Sequence, residues 1–453
     1  MRRQLFFLFV CLIVLAGRVA AQESQLQAEF RREGKALKES CGKFSFKSIA
    51  GCGQELFTGH PLHIAFGSIA PQNGIGFGPA FVTHYTPNES WRLSFNADAV
   101  VTPNGSWRAG VYGKAIYTKI KPGSITVRPA PVLNVYAQAT SLNKLAYYGL
   151  GPDTTGADLS YFGMRETIVG ASVVYPLFQP LNLSLQGEAN GRLVDLRGSR
   201  GTSGPSIEQV YSEATAPGLR RQPAFAQFGE GVRLRPALFD DYLRLNYLVN
   251  FQQFIAGDSH YSFRRLTVDL SHQIPLYKKT RTFLPRDHNG PDDCSTSATS
   301  TTGDCPQVTR DREGSIGLRL LLVESYTSGG DVVPFYFQPT LGGSDINGKM
   351  TLASYPDYRF RAPNLLLLQA SVEHSLYGPL GVAFLAETGR VALRHSDLEF
   401  KHLAHSYAAG LTLRAGGFPQ VSLMFAWGGH EGTHTIASVN TSLLGGSPRP
   451  SLY

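Results

Sequence analysis

The sequence predicts an all-β fold: a transmembrane antiparallel β-barrel of about 16 strands with one extracellular loop folded inward. Three observations predict it. Segments of about ten residues alternate apolar and polar side chains along most of the chain, as a lipid-facing barrel strand requires. No segment beyond the N-terminus reads as a transmembrane helix. A glycine-rich stretch, Leu341–Asn364, closes on Arg359-Phe360-Arg361 and leads straight into two further alternating segments.

The N-terminus sets the compartment. Arg2 and Arg3 precede the apolar run Leu5–Ala16, and Val19-Ala20-Ala21 forms a small-residue cleavage site, the three-part layout of a secretory signal. The run is shorter than the roughly 20 apolar residues of a spanning helix. Cys11 lies inside it and no cysteine follows the cleavage site, which argues against a lipoprotein. Residues 1–21 are therefore expected to be a signal peptide and the bacterial outer membrane the destination. Residues 22–59 are expected to form a short segment with one helix near Gln25–Ser40, residues 60–444 the barrel, and residues 445–453 a C-terminal tail.

Charge and cysteine content narrow the classes further. Loss of Arg2, Arg3 and Arg18 lowers the formal charge from +8 to +5, too mild to argue for nucleic acid. Cys41, Cys52, Cys294 and Cys305 remain, an even count for an oxidising compartment. Local Cys41–Cys52 and Cys294–Cys305 bridges are the simplest connectivity, although four cysteines allow three. Neither pair has metal-site spacing, and no cofactor is implied.

The alternation is explicit. Leu93, Phe95, Ala97 and Ala99 alternate with Ser94, Asn96 and Asp98, and Leu181, Leu183 and Leu185 with Asn182, Ser184 and Gln186. Leu243, Leu245, Tyr247, Val249 and Phe251 alternate with Arg244, Asn246, Leu248, Asn250 and Gln252, and Leu266, Val268 and Leu270 with Arg265, Thr267, Asp269 and Ser271. A sandwich also alternates, but its strands are typically about five or six residues long. Strands are predicted near 60–70, 74–86, 90–102, 105–119, 124–140, 162–176, 180–195, 221–236, 240–255, 262–275 and 313–325. Five more are predicted near 364–376, 379–393, 404–415, 419–428 and 432–444. Pro87-Asn88, Pro103-Asn104-Gly105, Pro122-Gly123, Gly378-Pro379 and Gly416-Gly417 supply turn signals. One feature fits poorly: a long Ser/Thr-rich loop over 276–312 falls at the end where turns are otherwise short.

Chemical motifs are few. His430-Glu431-Gly432-Thr433-His434 satisfies the H-E-x-x-H zinc-protease pattern, which needs a helix to bring both histidines to one face. Gly428-Gly429 and Gly432, with strand-like flanks, place it at a hairpin turn instead. A lipid hydrolase would need a Ser–His pair, and no spacing selects one. No enzymatic activity is expected.

Tyr147–Thr155 (YYGLGPDTT), Leu341-Gly342-Gly343, Tyr355–Arg361 (YPDYRFR), the strand bearing Glu373, and Gly381–Val391 (GVAFLAETGRV) resemble, in order and spacing, the BamA/TamA-like bacterial surface antigen barrels, the outer-membrane assembly-factor superfamily. The resemblance covers most of residues 60–444 and is strongest over the last 120 or so. It implies a sixteen-strand barrel with its sixth extracellular loop in the lumen, and a role in outer-membrane biogenesis or in protein or lipid translocation. A passive channel is the alternative from another class, and a lipid hydrolase a weaker one. It also implies outer-membrane lipid as a partner, together with a client protein or a separate periplasmic receptor, since the family's own receptor domains have no counterpart in residues 22–59. The family carries an arginine before the aromatic of the inward loop, tied to a carboxylate on the wall. Here Ala353 takes that place and Glu387 aligns with the carboxylate. Arg359 or Arg361 is therefore expected to reach Glu373 or Glu387, both on the polar faces of their strands.

Overall fold

The structure is a computed structural model that describes residues 62–118, 130–284, 305–415, 418–429, 431, 433–439 and 449–452. The expected signal peptide, the segment 22–59, and Cys41, Cys52 and Cys294 lie outside the described residues, and only the backbone of Cys305 lies within them.

Sixteen wall strands follow one another: β1 (Leu62–Ser68), β2 (Ile75–Asn88), β3 (Trp91–Val101), β4 (Trp107–Tyr117), β5 (Val132–Tyr147), β6 (Ser160–Phe178), β7 (Leu183–Gly198) and β8 (Phe225–Leu234). They continue as β9 (Leu243–Ala256), β10 (Phe263–Leu284), β11 (Cys305–Tyr326), β12 (Asn364–Tyr377), β13 (Leu380–Ala392), β14 (Ala404–Ala415), β15 (Phe418–Trp427) and β16 (His434–Val439). Each pairs antiparallel with the next, from β1 with β2 to β15 with β16. The two-residue piece Ala237–Leu238 continues the β8–β9 hairpin.

The sheet wraps around a shared interior. The loop between β11 and β12 touches Pro71 beyond β1 through the Tyr358 hydroxyl, and Glu431 beyond β15 through Arg359. Segments from both ends of the sheet therefore meet one element inside it. Alternation decides which face is which. Leu93, Phe95, Val249, Leu411, Leu423 and Phe425 are exposed on the outer wall, whereas Ser184, Asn190, Gln252 and Arg265 are buried inside. An apolar outer face around a polar-lined interior is the architecture of outer-membrane barrels.

The two rims differ. Turns are short between β2 and β3, where the Asn88 Oδ1 accepts the Ser90 and Trp91 N–H groups at 2.9 and 3.0 Å. Asparagine suits such a turn because its side chain satisfies the backbone two and three residues on. They are also short between β6 and β7 and between β12 and β13. The opposite rim carries the connections 148–159, 199–224 and 327–363, the last two longer than any on the first rim.

Three expectations are corrected. Both ends of the loop over 276–312 are strand: β10 and β11 stay paired from Tyr277↔Arg312 to Leu284↔Cys305, past a bulge at Leu276/Tyr277, while residues 285–304 lie outside the described residues. The polar residues of these two ends hid a ladder. Strand β5 runs to Tyr147 rather than to 140, because an irregularity between Leu142 and Leu145 breaks the alternation. The lumen is not polar throughout. Toward the long-loop rim, Tyr147, Phe162, Phe225, Phe254 and Phe263 are buried with Phe335, Tyr336 and Phe337 of the β11–β12 loop. The loop covers these rings, so water does not reach them and an apolar inner face is tolerated.

Candidate functional site

The site is the β11–β12 loop and the groups that hold it in the lumen. Its sequence builds it locally. Thr340–Leu341 and Phe360–Arg361 form an antiparallel pair at the loop's neck. Between them, Gly342 and Gly343 both have positive φ, 107° and 55°. A Cβ on Gly342 would lie 2.7 Å from the Pro356 carbonyl oxygen, and one on Gly343 would lie 2.6 Å from the Asp357 nitrogen. Only glycine allows the two limbs to approach so closely. The Thr351 N–H donates to the Gly343 oxygen at 2.8 Å, and the Tyr358 N–H to the Gly342 oxygen at 3.1 Å, closing the loop on itself.

The turn Thr351–Tyr355 meets the wall through backbone groups. The Ala353 N–H donates to Glu387 Oε2 at 2.5 Å, and the Ser354 N–H to Ser406 Oγ at 2.8 Å. Glu387 is buried on β13 and accepts Gln369 Nε2 at 2.5 Å through its other oxygen. Gln369 also donates to the Met350 carbonyl and accepts from Arg319 Nη1 at 2.8 Å, and Arg319 forms a two-pronged pair with Asp269 at 2.9 Å. A chain of charge-assisted contacts thus runs from the loop turn through β13, β12 and β11 to β10. Such bonds are about twice as strong as neutral ones. Ala353 itself is fully buried against Ala408, Met424 and Ala426.

The two loop arginines have other partners. Arg359 Nε donates to Glu431 at 2.6 and 2.7 Å, its Nη1 to Thr154 Oγ1 at 2.8 Å, and its Nη2 to the Thr154 carbonyl. Its guanidinium also lies over the rings of Phe360 and Tyr148, 4.5 and 5.0 Å from their centroids. Arg361 donates to the Phe335 carbonyl at 2.7 Å, and its own carbonyl accepts the Gly151 N–H at 2.8 Å. Glu373 pairs with Arg414 of β14 at 2.8 Å, a contact within the wall.

Of the two wall carboxylates expected to receive a loop arginine, then, only Glu387 touches the loop, and its partner there is a peptide N–H. Arg359 and Arg361 leave the turn region on the loop's return limb, close to Gly151 and Thr154, so they reach the long-loop rim and not the lower wall. The Glu431 partner belongs to the H-E-x-x-H motif. Its side chain faces Arg359, and His434 opens strand β16, while His430 and Gly432 lie outside the described residues.

Sequence reasoning missed several fixed points. Asn73 is fully buried: its Oδ1 accepts the Asn143 N–H at 3.0 Å, the Lys144 N–H at 3.2 Å and Ser106 Oγ at 2.8 Å, while Nδ2 donates to the Lys144 carbonyl at 2.7 Å. It props the irregularity in β5 that leads into Tyr147–Thr155. Arg265, buried beside the stacked Phe254 and Phe263 rings, donates to the Phe337 carbonyl. The run Pro334–Gln338 (PFYFQ), apolar inside a long loop, was the signal that this loop is buried. On the short-turn side lies a cavity of about 610 Å³ lined by Arg235, Arg244, Arg319, Met350 and Gln369.

In the loop, burial pushes the Asp357 carboxyl up, against the Ser344 N–H that donates to it at 2.8 Å. At the short-turn rim, Arg244 holds the Asp241 carboxyl down to about 2, with help from the Tyr277 hydroxyl at 2.6 Å.

No protein-family model and no curated protein matches the chain. Among solved structures, the chain is similar to BamA from Haemophilus ducreyi lacking POTRA domains 1-3, at 10% identity and a TM-score of 0.48, over 83% of this chain and 70% of that one. It is also similar to CdiB from Escherichia coli, at 12% identity and a TM-score of 0.46, over 83% of this chain and 62% of that one. For CdiB from Acinetobacter baumannii the identity is 10%, the TM-score 0.43, and the spans 83% and 57%, so the chain covers less than two thirds of either CdiB.

Proposed function

We propose that this chain is an integral outer-membrane barrel that acts in outer-membrane biogenesis or in moving protein or lipid across that membrane, with the β11–β12 loop as its gate. The observation that carries this reading is the mode of attachment. The loop turn hangs from Glu387 and Ser406 by two peptide N–H groups, above a cavity of about 610 Å³. A passive pore needs no such loop across its lumen. A gate needs one held by few, strong, local bonds that can be released together. Outer-membrane lipid surrounds the apolar wall in this reading, and a client protein or a separate periplasmic receptor meets one rim.

Controlled depletion in the native host tests it. The expected result is a fall in the folded levels of other outer-membrane barrels or a change in surface lipid, with the protein itself fractionating with outer membranes. Depletion without either effect, combined with steady open conductance of the purified protein in planar bilayers, would show a passive channel instead.

A further inference from the structure

Residues 449–452 lie in the lumen, far in sequence from everything they touch. Arg449 Nη2 pairs with Asp98 Oδ2 on β3 at 2.5 Å, next to Arg108, which lies 3.5 Å from the same oxygen. The Ser451 carbonyl accepts from Arg192 Nη2 on β7 at 2.9 Å. The Leu452 N–H donates to Asn347 Oδ1 at the tip of the β11–β12 loop at 2.9 Å. The Leu452 side chain is buried in the apolar cluster that includes Ile346.

Two features make this a site and not incidental packing. First, the receiving groups are held without the segment. Arg192 is fixed by Glu166 at 2.7 Å and by Gln227 at 2.5 Å, and Gln227 is itself fixed by Glu188 at 2.8 Å. The Asn347 backbone is held by Asp345 at 2.9 Å. Second, the contacts divide as they do in peptide recognition. A main-chain carbonyl and a main-chain N–H are read by Arg192 and Asn347, whatever the side chains. Asp98 selects a basic residue, and the apolar cluster selects an apolar residue three positions later.

We propose that the lumen groove bounded by Asp98, Arg192 and Asn347 is a peptide-receiving site for an extended segment carrying a basic residue three positions before an apolar one, and that Arg449–Leu452 is its resident competitor. This rests on the lumen geometry alone and holds whether or not the barrel assembles other proteins. Because Asn347 belongs to the β11–β12 loop, occupancy of the groove also braces the loop tip against β3 and β7. An incoming peptide of the same pattern would take over both contacts.

A fluorescent synthetic peptide of residues 447–453 (SPRPSLY) tests the assignment on purified full-length protein in detergent. Wild type, with its groove filled, should bind it weakly. The full-length double variant Arg449→Glu/Leu452→Asp should release its own segment and bind the peptide at least about tenfold tighter. Adding Asp98→Lys should abolish that gain, and a peptide carrying glutamate in place of Arg449 should restore it. Heat-modifiable migration verifies that each barrel is folded. A folded double variant that binds no better than wild type overturns the proposal, as does binding indifferent to the charge at Asp98.

Discussion

Ala353 gives Glu387 a peptide N–H at 2.5 Å. The loop turn is tied to the wall through its backbone. The small methyl lets the turn sink against Ala408, Met424 and Ala426 until its amide reaches the wall.

Removing that acceptor should open the loop. Glu387→Ala strands the Ala353 N–H and takes one of two acceptors from the Gln369 amide, and each hydrogen bond to a charged group contributes about 1.5–3 kcal/mol. Faster protease cleavage within 344–355 and raised conductance are expected, with heat-modifiable migration retained. Ala353→Arg should act in the same direction, since overpacking a filled site typically costs about 1–3 kcal/mol. Unchanged protection in both variants would mean that the turn is held elsewhere.

The Arg359–Glu431 pair should couple the loop to the β15–β16 connection. Charge reversal at either residue leaves a buried or half-buried charge without its partner, a loss of about 3–5 kcal/mol for a buried pair. Arg359→Glu and Glu431→Arg should each destabilise the closed loop. The double reversal should recover only part of the loss, because Thr154 still requires a donor. A double-mutant cycle on protease protection measures the coupling, and a value near zero would contradict it.

Asn73→Ala should lower the temperature of loss of heat-modifiable migration. The substitution removes the acceptor of the Lys144 N–H at a buried irregularity, at about 1–3 kcal/mol for a group left unsatisfied, and leaves the Asn143 N–H only Ser106 Oγ at 3.0 Å. Asn73→Asp keeps the acceptor and should fall between the two.

Asp357 should make the closed loop more secure in acid. Its folded carboxyl titrates above the ordinary value of 3.8 because burial disfavours the charged form. The folded loop thus binds a proton more tightly than the open one. The resulting stabilisation is complete below about 3.8 and is lost as pH rises through the raised value. Protease protection should therefore decline over that interval, and Asp357→Asn, which keeps an acceptor for the Ser344 N–H, should flatten the decline. Asp241 works in the opposite sense at the other rim: its contribution is present above the unfolded value and lost as pH falls toward about 2.

Much of the wall was legible because a lipid-facing strand must alternate, and the predicted strands fall on the observed ones from β1 to β16 within a few residues at most ends. Reading failed where alternation lost its physical cause. At Asn143 and Lys144 a bulge resets the phase, and beyond Tyr277 the run Lys278–Thr282 has no apolar residue to mark a face. The glycines of the loop were legible too, since only they fit the approach of its limbs. The partners of Arg359 and Arg361 were not, because a charge on a loop names the sign of its partner but not its address. Glu431 was hidden inside a motif that suggested other chemistry. The lumen position of Arg449–Leu452 left no periodic trace at all.

Strands β10 and β11 outrun their neighbours. The β9 ladder on β10 stops at Gln273, and the β12 ladder on β11 begins at Gly314, yet the two strands stay joined to each other as far as Leu284 and Cys305. From Lys278 onward this is a two-stranded ribbon about 20 Å long at the usual rise per residue. Among the described residues, neither of its margins has a neighbouring wall strand. The short-turn rim is therefore a lopsided one, with a mast on one side, and a molecule approaching the lumen from that direction meets the mast before it meets the opening.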